Sequence, residues 1–125
     1  MHFFYSFLII LSTPFVLLYF AIRGLRDRAY LERWSERFGF ISFDGKQGGI
    51  WVHAASVGEF NAASPLIRAL LKTYPEIPLT VTTLTPTGSE RVRRDLGDKV
   101  VHSYIPIDLP GSVRRFLKRL QPRLI

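Results

Sequence analysis

From Phe3 to Ile22 the chain reads FFYSFLIILSTPFVLLYFAI, without one charged residue. Beyond Ile22 the pattern breaks into short apolar clusters separated by Gly, Pro and charged positions. A helix of about 20 residues at 1.5 Å rise is roughly 30 Å long, the thickness of a bilayer's hydrocarbon core. Residues 1–22 are therefore expected to be a transmembrane anchor. Pro14 would kink such a helix, which membrane helices tolerate. A cleavable signal peptide fits less well, because no basic stretch precedes the apolar run and the run is longer than usual.

Residues 23–43 follow with Arg23, Arg26, Arg28, Arg33 and Arg37 close to the end of the apolar run. The excess of positive charge on this side puts the remainder of the chain in the cytoplasm. Leu25, Tyr30, Trp34 and Phe38 recur every four to five residues. That spacing predicts an arginine-rich helix, either lying in the headgroup layer or packed on the domain that follows. Residues 44–49, DGKQGG, have the composition of a linker.

Over residues 50–125 two periods alternate. IWVHAAS (50–56), LTVTTLT (79–85) and KVVHSYIP (99–106) read as strands. Leu66, Ile67, Leu70, Leu71 and Tyr74 form a helical stripe. It starts either at Pro65 with Ser64 as cap, or earlier, near Glu59, with a kink at Pro65. Thr87 with Glu90 matches a capping box for a second helix, and Gly97 supplies its stop. A third helix spans 108–122, with Val113, Phe116, Leu117 and Leu120 on its buried side, and Arg123–Ile125 resembles the start of a fourth strand. The order β-α-β-α-β-α-(β) predicts an α/β fold, a Rossmann-like parallel sheet preceded by the membrane helix.

Charge sharpens the picture. The chain has 125 residues, 17 Lys+Arg against 10 Asp+Glu, and a net charge of +7. Residues 91–123 alone carry nine basic side chains against three acidic ones. These bases read either as a solvated helix face or as a surface for an anionic partner (nucleic acid, a phosphorylated substrate or acidic lipid), and the membrane span argues for anionic phospholipid over nucleic acid. There is no cysteine, and His2, His53 and His102 are scattered, so neither a disulfide framework nor a metal site is expected.

Ligands of parallel sheets bind outside the carboxyl ends of the strands, which singles out SVGEFN after the first strand. One glycine is too few for a dinucleotide fingerprint, and the G-K-[ST] of a phosphate loop is missing. Ser56 as a nucleophile would need a base, and His53, three residues back on a strand, points to the other face. Glu59 remains. It reads either as a general base or as a helix-end charge, the latter favourable by roughly 0.3–1 kcal/mol.

The stretches WVHAASVGEFNAASPLIRAL, TTLTPTGSERV and YIPIDLPGSVRRFLKRLQPRL resemble the N-terminal portion of the 3-deoxy-D-manno-octulosonic acid (Kdo) transferases of lipopolysaccharide core biosynthesis. The resemblance implies an inverting GT-B glycosyltransferase without a bound metal or cofactor. Its N-terminal half receives a lipid A precursor (lipid IVA) at the cytoplasmic face of the inner membrane, and its C-terminal half binds the co-substrate CMP-Kdo. In the family's S-[VI]-G-E motif, here Ser56–Glu59, the glutamate is the catalytic base. Around Glu59, topology places Ser56, Gly58, Asn61, Thr87 and Gly88 at the acceptor. The donor half and the family's second glutamate motif are missing from these residues, so by themselves they are expected not to transfer sugar. A different class of function, a non-catalytic membrane-tethered binding or scaffold module, would use the basic face alone.

Overall fold

Three parallel strands, β1 (Ile50–His53), β2 (Leu79–Thr83) and β3 (Val101–Tyr104), lie in the order β1-β2-β3. The computed structural model describes residues 2–41 and 47–125; residues 44–46 of the expected linker lie outside the described residues. Helices α3 (Val57–Thr73), α4 (Pro86–Leu96) and α5 (Pro110–Leu120) connect and follow the strands. The register pairs Val52 with Val81 and Val81 with His102. Leu124 adds a parallel bridge to Ile50 on the free side of β1, where the fourth strand was expected to begin.

β2 is buried at all five positions, as befits a strand with neighbours on both sides. Its two faces differ. Leu79 and Val81 meet Ala54, Phe60, Ile67, Val92 and Leu96 in the core under α3 and α4. On the other face Trp51 packs with Phe116, Leu120 and Ile41 under α5. The hydroxyl of Thr82, buried on that second face, accepts from Trp51 Nε1 at 2.8 Å. Each face of the sheet is thus covered, as a parallel sheet requires.

Several boundaries differ from the expected ones. α3 takes the earlier of its two expected starts, at Val57 with Ser56 as its cap, so Pro65 lies inside the helix and Ser64 caps nothing. The buried stripe is consequently Phe60, Ala63, Ile67 and Leu70–Leu71, and Leu66 is 58% exposed. α4 is capped by Thr85, whose hydroxyl accepts from Gly88 N at 3.2 Å, not by Thr87. Pro86 explains the shift: a proline is at home at the first helical position, where no amide is needed. On α5, Phe116 and Leu120 are buried with Ser112, while Leu117 is exposed.

α1 (His2–Arg26) is one continuous helix, long and apolar enough to cross a membrane. It runs through Pro14, with Ser12 and Thr13 hydroxyls both donating to Ile9 O. The single helix expected over 23–43 is replaced by the end of α1, a 3₁₀ turn (Arg28–Leu31) and one α-turn, α2 (Trp34–Arg37). Asp27 causes the break: its carboxylate accepts from Ala29 N at 3.0 Å and caps a new turn. Arg33 then takes a left-handed backbone (φ 56°), turning α2 toward the sheet. Gly39 (φ 82°) lets the chain pass so near α5 that a side chain there would collide with the Ser112 carbonyl. Arg33 and Arg37 therefore face protein rather than lipid headgroups.

Candidate active site

Pairing of β1 with β2 continues past the strands: Ala54 N donates to Thr82 O and Leu84 N to Ala55 O. The chain then leaves the sheet through Ser56, extended at φ −131° and ψ 172°. Ser56 Oγ accepts from Glu59 N at 3.4 Å, and Glu59 Oε2 accepts from Ala55 N at 2.8 Å. This exchange is a capping box moved back by one residue, so two amides at the mouth of α3 are satisfied by side chains. Glu59 is held in place by it. Its other oxygen, Oε1, takes no hydrogen bond among the described residues, the side chain is exposed, and none of the ion pairs there involves it.

The position on the sheet adds meaning. β2 and β3 lie on one side of β1 and Leu124 on the other, so the strand order reverses at β1. In open α/β sheets the ligand crevice lies outside the carboxyl ends at such a reversal. The turn carrying Glu59 emerges there.

A second polar cluster braces the far edge. Glu36 forms a bidentate ion pair with Arg33 (2.7 and 2.8 Å) and accepts from Tyr104 N at 2.9 Å, so α2 satisfies the free edge of β3. Arg33 also donates to Ser89 Oγ at 2.8 Å and approaches His102 Nδ1 at 3.2 Å. A guanidinium only donates, so Nδ1 is the accepting nitrogen and Nε2–H donates to Thr83 Oγ1 at 3.1 Å. Burial, with the charges of Arg33 and Arg93, pushes the His102 imidazole down to about 3 and keeps it neutral. Arg37, 1% exposed, is sandwiched between the rings of Phe20 (4.5 Å) and Tyr104 (4.2 Å) and donates to Leu84 O at 3.0 Å. Burial lowers its hold on the proton.

A sequence profile described as 3-deoxy-D-manno-octulosonic-acid transferase (kdotransferase) matches residues 32–125. The chain belongs to this Kdo transferase family. A Kdo transferase of Haemophilus influenzae is 44% identical over 124 residues, 98% of this chain and 29% of that protein. A probable mitochondrial Kdo transferase of Arabidopsis thaliana is 35% identical over 114 residues, 90% of this chain and 26% of that protein. The Kdo transferase of Bordetella pertussis is 40% identical over 79 residues, 59% of this chain and 18% of that protein. The chain thus spans less than a third of these Kdo transferases, which are glycosyltransferases.

In this Kdo transferase segment the residues expected around the acceptor fall into unlike places. Ser56 and Glu59 are joined by the capping exchange, and Gly58 lies exposed between them. Gly58 is not needed for a tight turn: its φ is ordinary, and an added Cβ would meet only Ser56 Oγ at 3.9 Å. Asn61, two residues after Glu59, lies on another side of α3, since i and i+2 do not face each other. Gly88 is buried against Thr83 and Thr85. Thr87 lines a separate cleft of about 300 Å³ with Arg33, Ser89, Glu90 and Arg93, which Glu59 does not line. Sequence reading passed over the Ala55 amide and the Arg33–Glu36–His102 cluster. The i,i+3 spacing of Arg33 and Glu36 was the available signal for the cluster; nothing marked the amide. Among the described residues no group of His, Asp or Glu is placed to hold a metal ion.

Proposed function

We propose that this chain is the acceptor half of an inverting glycosyltransferase that moves Kdo from CMP-Kdo to a lipid A precursor at the cytoplasmic face of the inner membrane. Glu59 is the general base. The observation that carries this reading is an exposed carboxylate fastened by one oxygen at the reversal point of the sheet, with its other oxygen unbonded among the described residues. A general base must reach the hydroxyl proton at hydrogen-bond distance, about 3 Å, in the reacting complex. Glu59 Oε1 takes the proton of the acceptor hydroxyl while the oxygen attacks the anomeric carbon of Kdo. The bond from that carbon to the CMP phosphate breaks, and CMP departs with the electron pair. The remainder of a two-domain enzyme would hold CMP-Kdo across the cleft.

Support also comes from placement. The apolar slot beside the carboxyl edge is walled by Ile9, Val16 and Phe20 of α1 together with Leu84, Ile105 and Ile107 of the strand ends. The edge that presents Glu59 is therefore the edge next to the membrane helix, where a lipid-borne alcohol arrives.

Glu59→Gln in the full-length enzyme tests the reading. A glutamine carbonyl can still accept from Ala55 N, so the helix mouth is preserved while the base is lost. Transfer from CMP-Kdo to the lipid acceptor is expected to fall about 10²–10⁴-fold, with membrane association unchanged. Near-normal turnover in that variant removes Glu59 from the mechanism.

A further inference from the structure

α1 has two dissimilar sides. Tyr5, Ile9, Thr13, Val16 and Phe20, three or four residues apart, follow one face of the helix. Tyr5 donates its hydroxyl to the Asp108 carboxylate in the loop before α5. Ile9, Thr13 and Val16 border a slot of about 240 Å³ against Leu84, Ile105 and Ile107. Phe20, 8% exposed, rests on the Arg37 guanidinium, which in turn stacks on Tyr104. The helix is fastened to the carboxyl edge of the sheet at both ends of a stretch of about 22 Å at 1.5 Å per residue. On its other side Phe4, Phe7, Leu8, Leu11, Phe15 and Leu18 are all exposed.

A helix fastened in this way is at odds with crossing a bilayer. Crossing would draw the 105–108 loop and the Asp108 carboxylate into hydrocarbon beside Tyr5. Lipid-exposed irregular backbone does not occur there, and an ionised carboxylate is strongly disfavoured. The charges point the same way. Arg23 and Arg26 close the C-terminal end of α1, while Arg114 and Lys118 line the cavity next to Tyr5 at its other end. A crossing helix carries its cations on one side of the membrane; cations at both ends suit a helix with both ends at one anionic surface.

We infer that α1 lies in the plane of the membrane, at the headgroup–acyl boundary of one leaflet containing anionic phospholipid, in place of crossing it. The Phe4–Leu18 face sits among the acyl chains, and the carboxyl edge of the sheet is pressed to the surface. The inference rests on α1 being the membrane anchor. It makes the leaflet itself part of the acceptor site, since a lipid reaches Glu59 by lateral diffusion without leaving its own monolayer.

These residues contain no cysteine, so an introduced thiol is their sole labelling site. The test uses full-length protein with any cysteine outside this stretch replaced by serine. Phe3→Cys and Glu76→Cys are each exposed to a membrane-impermeant maleimide in sealed inverted and right-side-out vesicles. An in-plane helix gives labelling of both variants in inverted vesicles only. Phe3→Cys labelled in right-side-out vesicles, with Glu76→Cys labelled in inverted ones, means that α1 crosses and overturns the inference while leaving the anchor intact. Protein recovered in the soluble fraction overturns the anchor reading, and the inference with it. In addition, Ser6→Cys with Pro110→Cys, which line one cavity, is expected to be bridged by a short bismaleimide in intact membranes; its failure to bridge counts against the docked helix.

Discussion

Gly58 and Gly88 each stand in the first turn of a helix that leaves the carboxyl edge, yet their surroundings are opposite. A methyl group at Gly88 would approach Thr85 Oγ1 to 3.1 Å and Thr83 Cβ to 3.4 Å, whereas at Gly58 it would meet only Ser56 Oγ in ordinary contact at 3.9 Å. Gly88→Ala is accordingly expected to lower stability by about 1–3 kcal/mol through overpacking, read as the urea midpoint of the full-length protein. Gly58→Ala should leave stability unchanged or raise it by up to about 1 kcal/mol, since alanine is the better helix former. If the lipid acceptor docks beside Glu59, the same Gly58→Ala variant transfers Kdo more slowly despite an intact fold. Unchanged turnover would move the acceptor's approach away from α3. Glu59 stood out in the sequence as a carboxylate at the mouth of a strand-to-helix turn, where the residues alone left a general base and a helix-end charge both open. Its partner was not, because the reach back to Ala55 N depends on how Ser56 turns. Asn61 was drawn in by closeness in sequence, which the 3.6-residue helical period does not respect.

At the level of elements, alternation of apolar strands with amphipathic stretches was enough to read the parallel sheet and its three helices. Periodicity failed between residues 23 and 41, where Leu25, Tyr30, Trp34 and Phe38 mimic a helix that Asp27 and Arg33 interrupt. The interruption buys the Arg33–Glu36–His102 cluster that binds this segment to β3 and α4, and a local pattern carries no trace of such distant partners. The cluster has a pH signature. An unfolded histidine titrates near 6.5, whereas in the fold His102 is pushed down to about 3. Between these values the unfolded chain takes up a proton that the folded chain refuses, so this stability is intact above about pH 6.5 and declines as pH falls toward 3. Urea midpoints of the full-length protein between about pH 7.5 and pH 4.5 should fall more steeply for the parent than for His102→Gln. Parallel curves would mean that His102 is not held neutral inside the fold.

For the molecule as a whole, the N-terminal end of α1 and the basic side of α5 meet at one cavity. Arg114 and Lys118 share a cavity with Tyr5 and Ser6, and are themselves exposed on α5. Neither takes part in an ion pair among the described residues, so their charge is available to phospholipid headgroups. Each Lys or Arg held near an anionic surface contributes about 1 kcal/mol of attraction. The pair Arg114→Gln with Lys118→Gln should therefore weaken binding to vesicles containing phosphatidylglycerol by about 2 kcal/mol, close to thirtyfold. Raising salt shortens the Debye length to about 3 Å at 1 M, so the difference between parent and variant should shrink as salt is added. On vesicles of neutral phosphatidylcholine the two proteins should bind alike, through the apolar side of α1 alone. Equal loss on neutral and anionic vesicles would instead show that these side chains support the docking of α1 on the domain rather than contact with the lipid.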